Sequence, residues 1–196
     1  MKVQDIIPTE RYDSGTMPPL NMMIGDFAAA MDKDNITMAA VKEYFQSSSG
    51  EKPVSRTGFS SATKYSSVSF SHGAYVLGAP EFVLREKYED YAEEITEHAS
   101  AGARVLVFGT YDGKIDGRPL EHGITPLAFL LLANPVREAA EETFRYFAEQ
   151  GVEVKVISGD NPVTVSRVAK QAGIQNAEKY ADASELDTEE KMRDAV

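Results

Sequence analysis

The run from Leu127 to Ala133 is the longest stretch of uninterrupted apolar residues in the chain, and it stands between Pro126 and Asn134-Pro135. It falls far short of the roughly 20 residues that a helix needs to cross a bilayer. Bounded by prolines and with no polar position along it, it reads as a strand buried on both faces. The residues after it are regularly layered. Val136 to Gln150 reads as a helix ending at Gly151, Val152 to Ile157 as a second buried strand, and Pro162 to Ala172 as a helix ending at Gly173. Strand, helix, strand, helix is the order that a βαβ unit with a parallel sheet produces.

The first part of the chain is patterned differently. Lys2 to Ile7 is strand-like, and a polar loop with Pro18-Pro19 comes next. Met22, Phe27, Ala30 and Met31, then Met38, Val41, Tyr44 and Phe45, recur at three and four residues, the spacing of amphipathic helices. From Ser55 to Leu77, β-type residues dominate. Tyr65 to Phe70 alternates with serine and Ala74 to Leu77 follows the turn at His72-Gly73, which predicts a hairpin. Pro80 suits the first turn of a long helix, Glu81 to Ser100, stopped by Gly102. Arg104 to Tyr111 is a further strand, and Asp112-Gly113 a turn. A boundary is therefore expected between a mixed α/β domain, residues 1–125, and a partial doubly wound unit, residues 126–196.

Charge narrows the function classes. With 20 Lys+Arg against 31 Asp+Glu, a net charge of −11, the chain has no general basic field for a nucleic-acid backbone or an anionic membrane surface. A nucleotide needs only a few well-placed donors. The absence of cysteine excludes disulfides and thiolate metal sites. His72, His98 and His122 lie far apart in no ligand spacing and read as surface or packing residues.

The sharpest chemical signal is Val154-Lys155-Val156-Ile157-Ser158-Gly159-Asp160-Asn161-Pro162, where an apolar strand stops at a hydroxyl, a glycine and an aspartate before a helix. Ligands of open parallel sheets bind at the carboxyl ends of strands, and helix N-termini favour phosphate. Ser158 can donate to a phosphoryl oxygen, Gly159 permits close approach, and Asp160 can cap the helix or bind a hydroxyl. A helix cap with a turn glycine is the alternative reading of the same element.

Flanking residues make the pattern specific. Asn134-Pro135-Val136-Arg137 precedes it, and Thr164, Ala169 and Gln171-Ala172-Gly173-Ile174 come after. The run from Leu130 to Ile174 resembles the phosphorylation domain of P-type ATPases, with its Asp-Pro-x-Arg, a helix, and a strand ending in Thr-Gly-Asp-Asn. Here Asn134 stands for the aspartate and Ser158 for the threonine, while Arg137 matches directly. Upstream, Phe59-Ser60-Ser61-Ala62-Thr63-Lys64-Tyr65-Ser66-Ser67-Val68 is similar to that family's nucleotide-domain motif. Leu77-Gly78-Ala79-Pro80-Glu81 resembles its Lys-Gly-Ala-Pro-Glu, with Leu77 in place of the lysine, and Gly102-Ala103-Arg104-Val105-Leu106 resembles another of its strands.

The resemblance implies a nucleotide-binding domain built on a mixed antiparallel sheet with flanking helices, followed by part of a phosphorylation domain. It implies ATP as ligand and Mg2+ as the ion of the full-length protein. Phe59 would stack on adenine, Lys64 would reach the base or the phosphates, Gly78 and Ala79 would let backbone approach the base, and Arg104 would reach the phosphates. Leu77 would present an apolar wall. Asn35, in Asp34-Asn35-Ile36-Thr37, is the candidate for the residue that holds the adenine amino group. Arg137, Ser158, Gly159 and Asp160 would meet the nucleotide from the second domain. Phe59 and Lys64 also have ordinary readings, as a core residue and a solvated strand residue.

The family's phosphorylated Asp-Lys-Thr-Gly-Thr and its Gly-Asp-Gly-x-x-Asn-Asp are absent from this sequence. The expectation is accordingly a piece of a cation-transporting membrane ATPase, at the cytoplasmic face. Its partners would be the transmembrane, actuator and remaining phosphorylation-domain parts of the same polypeptide, with no nucleic acid. The chain alone would not turn ATP over. Asp32-Lys33-Asp34-Asn35-Ile36-Thr37 also spells the DxDxT nucleophile of haloacid dehalogenase-like phosphatases. That motif needs a buried strand before it, whereas Phe27-Ala28-Ala29-Ala30-Met31 reads as helix. The alternatives are a free-standing phosphatase using Asp32 and a non-catalytic regulatory domain.

Overall fold

A computed structural model describes residues 1–100, 102–133, 136–158, 162–181 and 188. The chain divides into two compact units, residues 1–99 with 103–134, and residues 100–102 with 135–196.

The first unit is built on a six-stranded sheet in the order β1-β6-β5-β4-β3-β2. The strands are β1 (Lys2–Pro8), β2 (Ser55–Thr57), β3 (Tyr65–Phe70), β4 (Gly73–Gly78), β5 (Arg104–Tyr111) and β6 (Thr125–Ala133), and every neighbouring pair is antiparallel. The helices are α1 (Leu20–Ala30), α2 (Ile36–Tyr44), α3 (Pro80–Val83) and α4 (Tyr88–Ser100). On one face Ile24, Phe27, Met38 and Val41 from α1 and α2 meet Val68, Leu77, Phe108, Leu130 and Leu132 from the strands. On the other, Val83, Leu84, Ile95 and Ile124 meet Tyr65, Val76, Val107, Phe129 and Leu131. From Ala128 to Leu132, successive residues of β6 thus enter opposite cores, as the period of two in a strand requires. Phe27 has no exposed surface and sets its ring edge against Phe108 at 5.7 Å.

The buried strand predicted at Leu127 to Ala133 is present, but in a different sheet. It is the antiparallel neighbour of β1 and β5, not the first strand of a parallel βαβ unit. A wholly apolar run reports that both faces are covered and carries no information on strand direction. β6 belongs to the first sheet and falls within the first compact unit.

The long helix expected from Glu81 to Ser100 is also interrupted. α3 ends after one turn, a 3-10 turn occupies Arg85–Lys87 with Arg85 at φ +52°, and α4 starts afresh at Tyr88. The interruption serves the segment that leads into β6. Ile124 N–H donates to the Val83 carbonyl at 2.9 Å, and Gly123 N–H to Glu86 Oε1 at 2.9 Å. Lys87 Nζ donates to the carbonyls of Gly123 at 2.7 Å and Ile124 at 3.0 Å. A continuous helix would have kept the Val83 carbonyl for its own ladder.

The second unit, by itself, contains α5 (Ala140–Glu149) and α6 (Pro162–Gln171). Both end in a left-handed glycine, Gly151 at φ +72° and Gly173 at φ +79°, and both are closed by a bond from the residue beyond: Val152 N–H to the Phe147 carbonyl and Ile174 N–H to the Ala169 carbonyl. The strand predicted at Val152 to Ile157 is not formed, and Val152, Val156 and Ile157 are 51%, 50% and 98% exposed. A strand exists only beside another strand. Among the described residues the second unit has none.

Accepting the Gly123 N–H holds the Glu86 carboxyl below its usual value of 4.5. A depressed folded-state pKa gives stability that is present above 4.5 and lost as pH falls through the lower folded value. Hydrogen-exchange protection of the Gly123 amide should therefore decrease on acidification below that point, and Glu86→Gln should abolish the dependence. Separately, a methyl group on Gly123 would lie 2.0 Å from the Leu84 carbonyl oxygen. Gly123→Ala should destabilise by about 1–3 kcal/mol in denaturant titration, as overpacking does.

Candidate functional site

One end of the sheet collects the start of β3, the end of β4 and the start of β5. Tyr65 faces Gly78, Gly78 faces Val107, and Arg104 faces Leu132. β2 runs antiparallel to β3 and leaves the sheet at the same end, with Thr57 opposite Ser67. The loop that joins them, residues 58–64, therefore lies over this end. Phe59, Lys64, Gly78, Ala79 and Arg104 are separated by up to 45 positions along the chain (104 minus 59), and antiparallel pairing brings them to one edge.

Lys64 is the hinge of this edge. It adopts φ +57°, unusual for a residue with a side chain. Its N–H donates to the Ser60 carbonyl at 2.7 Å, and its carbonyl accepts from Ala79 N–H at 3.0 Å. The loop before β3 is so fastened to the turn after β4. Gly78 makes the fastening possible: a Cβ there would fall 2.6 Å from Tyr65 Cβ and 2.8 Å from the Lys64 carbonyl oxygen. The space left by its missing side chain is filled by the protein. Its smallness closes the two turns on each other.

Phe59 is 41% exposed, an aromatic face held at the surface and not a core residue. Arg104 is exposed, and alternation along β5 puts it on the face of Leu106 and Phe108, the face covered by α1 and α2. It lies three residues from Val107, about 10 Å along the strand from the point where β5 meets Gly78. Leu77 is 4% exposed and packs in the core under α1 and α2, so it offers no apolar wall at the surface.

The corner between α1 and α2 reaches the same loop. A methyl group on Gly58 would stand 3.4 Å from Asp34 Oδ2. Asn35 is the N-cap of α2: its Oδ1 accepts from Met38 N–H at 2.8 Å, and its Nδ2 donates to Asp34 Oδ1 at 2.9 Å. Both ends of the Asn35 amide are thereby engaged, while one Asp34 oxygen faces the Phe59 loop. Sequence reasoning misses Asp34 because nothing local indicates that residue 34 meets residue 58. Asp32 is paired with Arg56, Nη2 to Oδ2 at 3.0 Å, and lies just beyond helix α1. It does not emerge from a strand end as a DxDxT nucleophile would. Among the described residues, no group of three or more His, Asp or Glu is arranged to hold a metal ion.

The remaining candidates belong to the second unit. Arg137 is exposed, and its carbonyl accepts from Ala140 N–H at 2.8 Å in the turn that opens α5. Ser158 is exposed at the end of the irregular stretch before α6. Gly159 and Asp160, like Asn134, lie outside the described residues.

Residues 20–192 match the family model of haloacid dehalogenase-like hydrolases. The calcium-transporting ATPase CtpE of Mycolicibacterium smegmatis is 38% identical over 153 residues, covering 78% of this chain and 19% of the relative. The probable cation-transporting ATPase exp7 of Streptococcus pneumoniae is 33% identical over 196 residues, covering 98% of this chain and 24% of the relative. Among solved structures, a zinc-transporting PIB-type ATPase in its E2.Pi state shares the fold, with a TM-score of 0.57 at 17% identity over 88% of this chain and 25% of its own. The chain thus spans about a fifth to a quarter of the length of these relatives.

The capping geometry separates two roles for Asn35. Asn35→Ala should cost about 1 kcal/mol of folding stability through the lost cap. A denaturant midpoint equal to that of the unsubstituted chain would contradict the capping role.

Proposed function

Because the chain belongs to the haloacid dehalogenase-like hydrolase family and its relatives are cation-transporting P-type ATPases, we propose that its first unit, residues 1–99 with 103–134, is a nucleotide-binding domain that receives ATP at the Lys64 end of its sheet. The observation that carries this reading is the convergence of an exposed aromatic ring, two cations and a small-residue turn on one edge of the sheet. A nucleotide presents an aromatic base at one end and a polyanion at the other, and this edge offers a partner for each.

Phe59 stacks on the base. Asp34, with an oxygen facing the Gly58-Phe59 loop, accepts from the adenine amino group, and Asn35 acts beside it by fixing the corner as the cap of α2. Lys64 and Arg104 balance the phosphates. Gly78 and Ala79 hold Lys64 in its left-handed conformation by the Ala79–Lys64 bond, so their contribution to the ligand passes through Lys64. In the complete polypeptide, Arg137, Ser158, Gly159 and Asp160 meet the phosphate end from the second unit, a partial phosphorylation domain. The γ-phosphate then passes to an aspartate that this sequence does not contain. Phosphoryl transfer depends mainly on positioning and charge, which suits a division of labour between units. Mg2+ would neutralise triphosphate charge there, and no residue of this chain is assigned to it. The full protein is taken as a membrane transporter of a cation with both units at its cytoplasmic side.

The chain alone is expected to bind ATP in the millimolar range, without hydrolysing it. Amide-shift titration with a non-hydrolysable ATP analogue should move Phe59, Lys64, Gly78 and Arg104. Their failure to move at millimolar ligand overturns the reading. Magnesium-dependent release of phosphate from a simple ester, lost in Asp32→Asn, would replace it with a phosphatase.

A further inference from the structure

The Asp32-to-Thr37 segment, set aside as a nucleophile, contains a second long-range contact. Arg56 lies in β2, two residues before Gly58 and three before Phe59. Its guanidinium meets both Asp32 oxygens, Nη1 to Oδ1 at 3.3 Å and Nη2 to Oδ2 at 3.0 Å, and Nη1 also donates to the carbonyl of Ala30, the last residue of α1. One planar fork therefore binds a carboxylate with two nitrogens and an unsatisfied helix-end carbonyl with one of them.

This fork sits on a thinly secured element. β2 has three residues and pairs with the sheet only through β3, because it is an edge strand. Short edge elements with few backbone bonds open readily. The loop that carries Phe59 hangs from this strand at one end and from Lys64 at the other. The corner that carries Asp34 and Asn35 comes directly after α1. Arg56 is the side chain that joins the upstream root of the loop to the upstream root of the corner.

We propose that Arg56, paired with Asp32, is a positioning residue for adenine recognition: it fixes the Phe59 loop against the Asp34–Asn35 corner and itself touches no part of the nucleotide. The inference rests on the nucleotide-binding reading of this end of the sheet. Surface ion pairs are usually of small energetic value, so the effect belongs to local order and not to global stability. Lysine carries its donors on a single nitrogen with no planar fork, so it cannot reproduce the two-nitrogen pairing with Asp32 while also reaching the Ala30 carbonyl.

The test compares the unsubstituted chain with Arg56→Ala, Arg56→Lys and Asp32→Asn. Each variant is titrated with adenosine and with a non-hydrolysable ATP analogue, while ring and amide resonances of Phe59 are followed with and without ligand. Arg56→Ala should weaken both ligands by the same factor, about three- to tenfold, through lost preorganisation. Arg56→Lys and Asp32→Asn should fall between, with the melting temperature unchanged, and without ligand the Phe59 resonances of Arg56→Ala should shift toward those of a mobile loop. Equal affinity with unchanged Phe59 resonances overturns the proposal. So does weakening confined to the triphosphate, which would mean direct phosphate contact, or weakening that parallels a lowered melting temperature, which would mean a purely structural pair. If the unsubstituted chain binds neither ligand, the nucleotide-binding reading fails, and the tether is still decided by the Phe59 resonances of the unliganded variants.

Discussion

Pairing of β6 with β5 on one side and β1 on the other is the interaction from which the first unit is organised. β6 is buried along almost its whole length, and its side chains feed the two cores in alternation. Each core is then closed by its own helices, α1 and α2 on one face, α3 and α4 on the other. With both faces sealed, only the sheet's ends and edges remain for chemistry. The candidate residues stand at one end, in and beside the loops that the strands carry there. The grip of Glu86 and Lys87 on Gly123 and Ile124 secures the start of β6, so both cores depend on the break after α3.

Much of this architecture was legible in the sequence, for identifiable reasons. The period of three and four in Met22 to Met31 and in Met38 to Phe45 marked α1 and α2, and serine alternation around the His72-Gly73 turn marked β3 and β4. The family resemblance rested on motifs in order, and the family is the one found. What the sequence hid was long-range. The direction of β6 depends on β5 and β1, the break at Leu84-Arg85 on a loop almost 40 positions away (123 minus 84), and the absence of a strand at 152–157 on having no neighbour among the described residues. The same holds at the candidate site. Phe59, Lys64 and Arg104 could be named from local patterns, whereas the meeting of Asp34 with Gly58 and of Asp32 with Arg56 arises from tertiary placement alone.

The charge of the chain bears on how such a site would work. A net charge of −11 sets up a field that opposes an approaching polyanion. At physiological ionic strength this field fades over about 8 Å, so recognition falls to groups at close range. Lys64 and Arg104 are such groups, and Arg56, though cationic and near, spends its donors on Asp32 and Ala30.

The two edges of the sheet are built unlike its centre. At one edge, β2 is only three residues long and comes shortly after Lys52-Pro53, and at the other, β1 changes register between Val3 and Asp5 and ends at Pro8. A short strand gives an incoming chain few bonds to extend, a bulge twists the ladder out of line, and proline withholds a donor. The strongly apolar β6, paired on both sides, lies away from these edges, so an incoming chain meets only strands that are poor templates for further pairing.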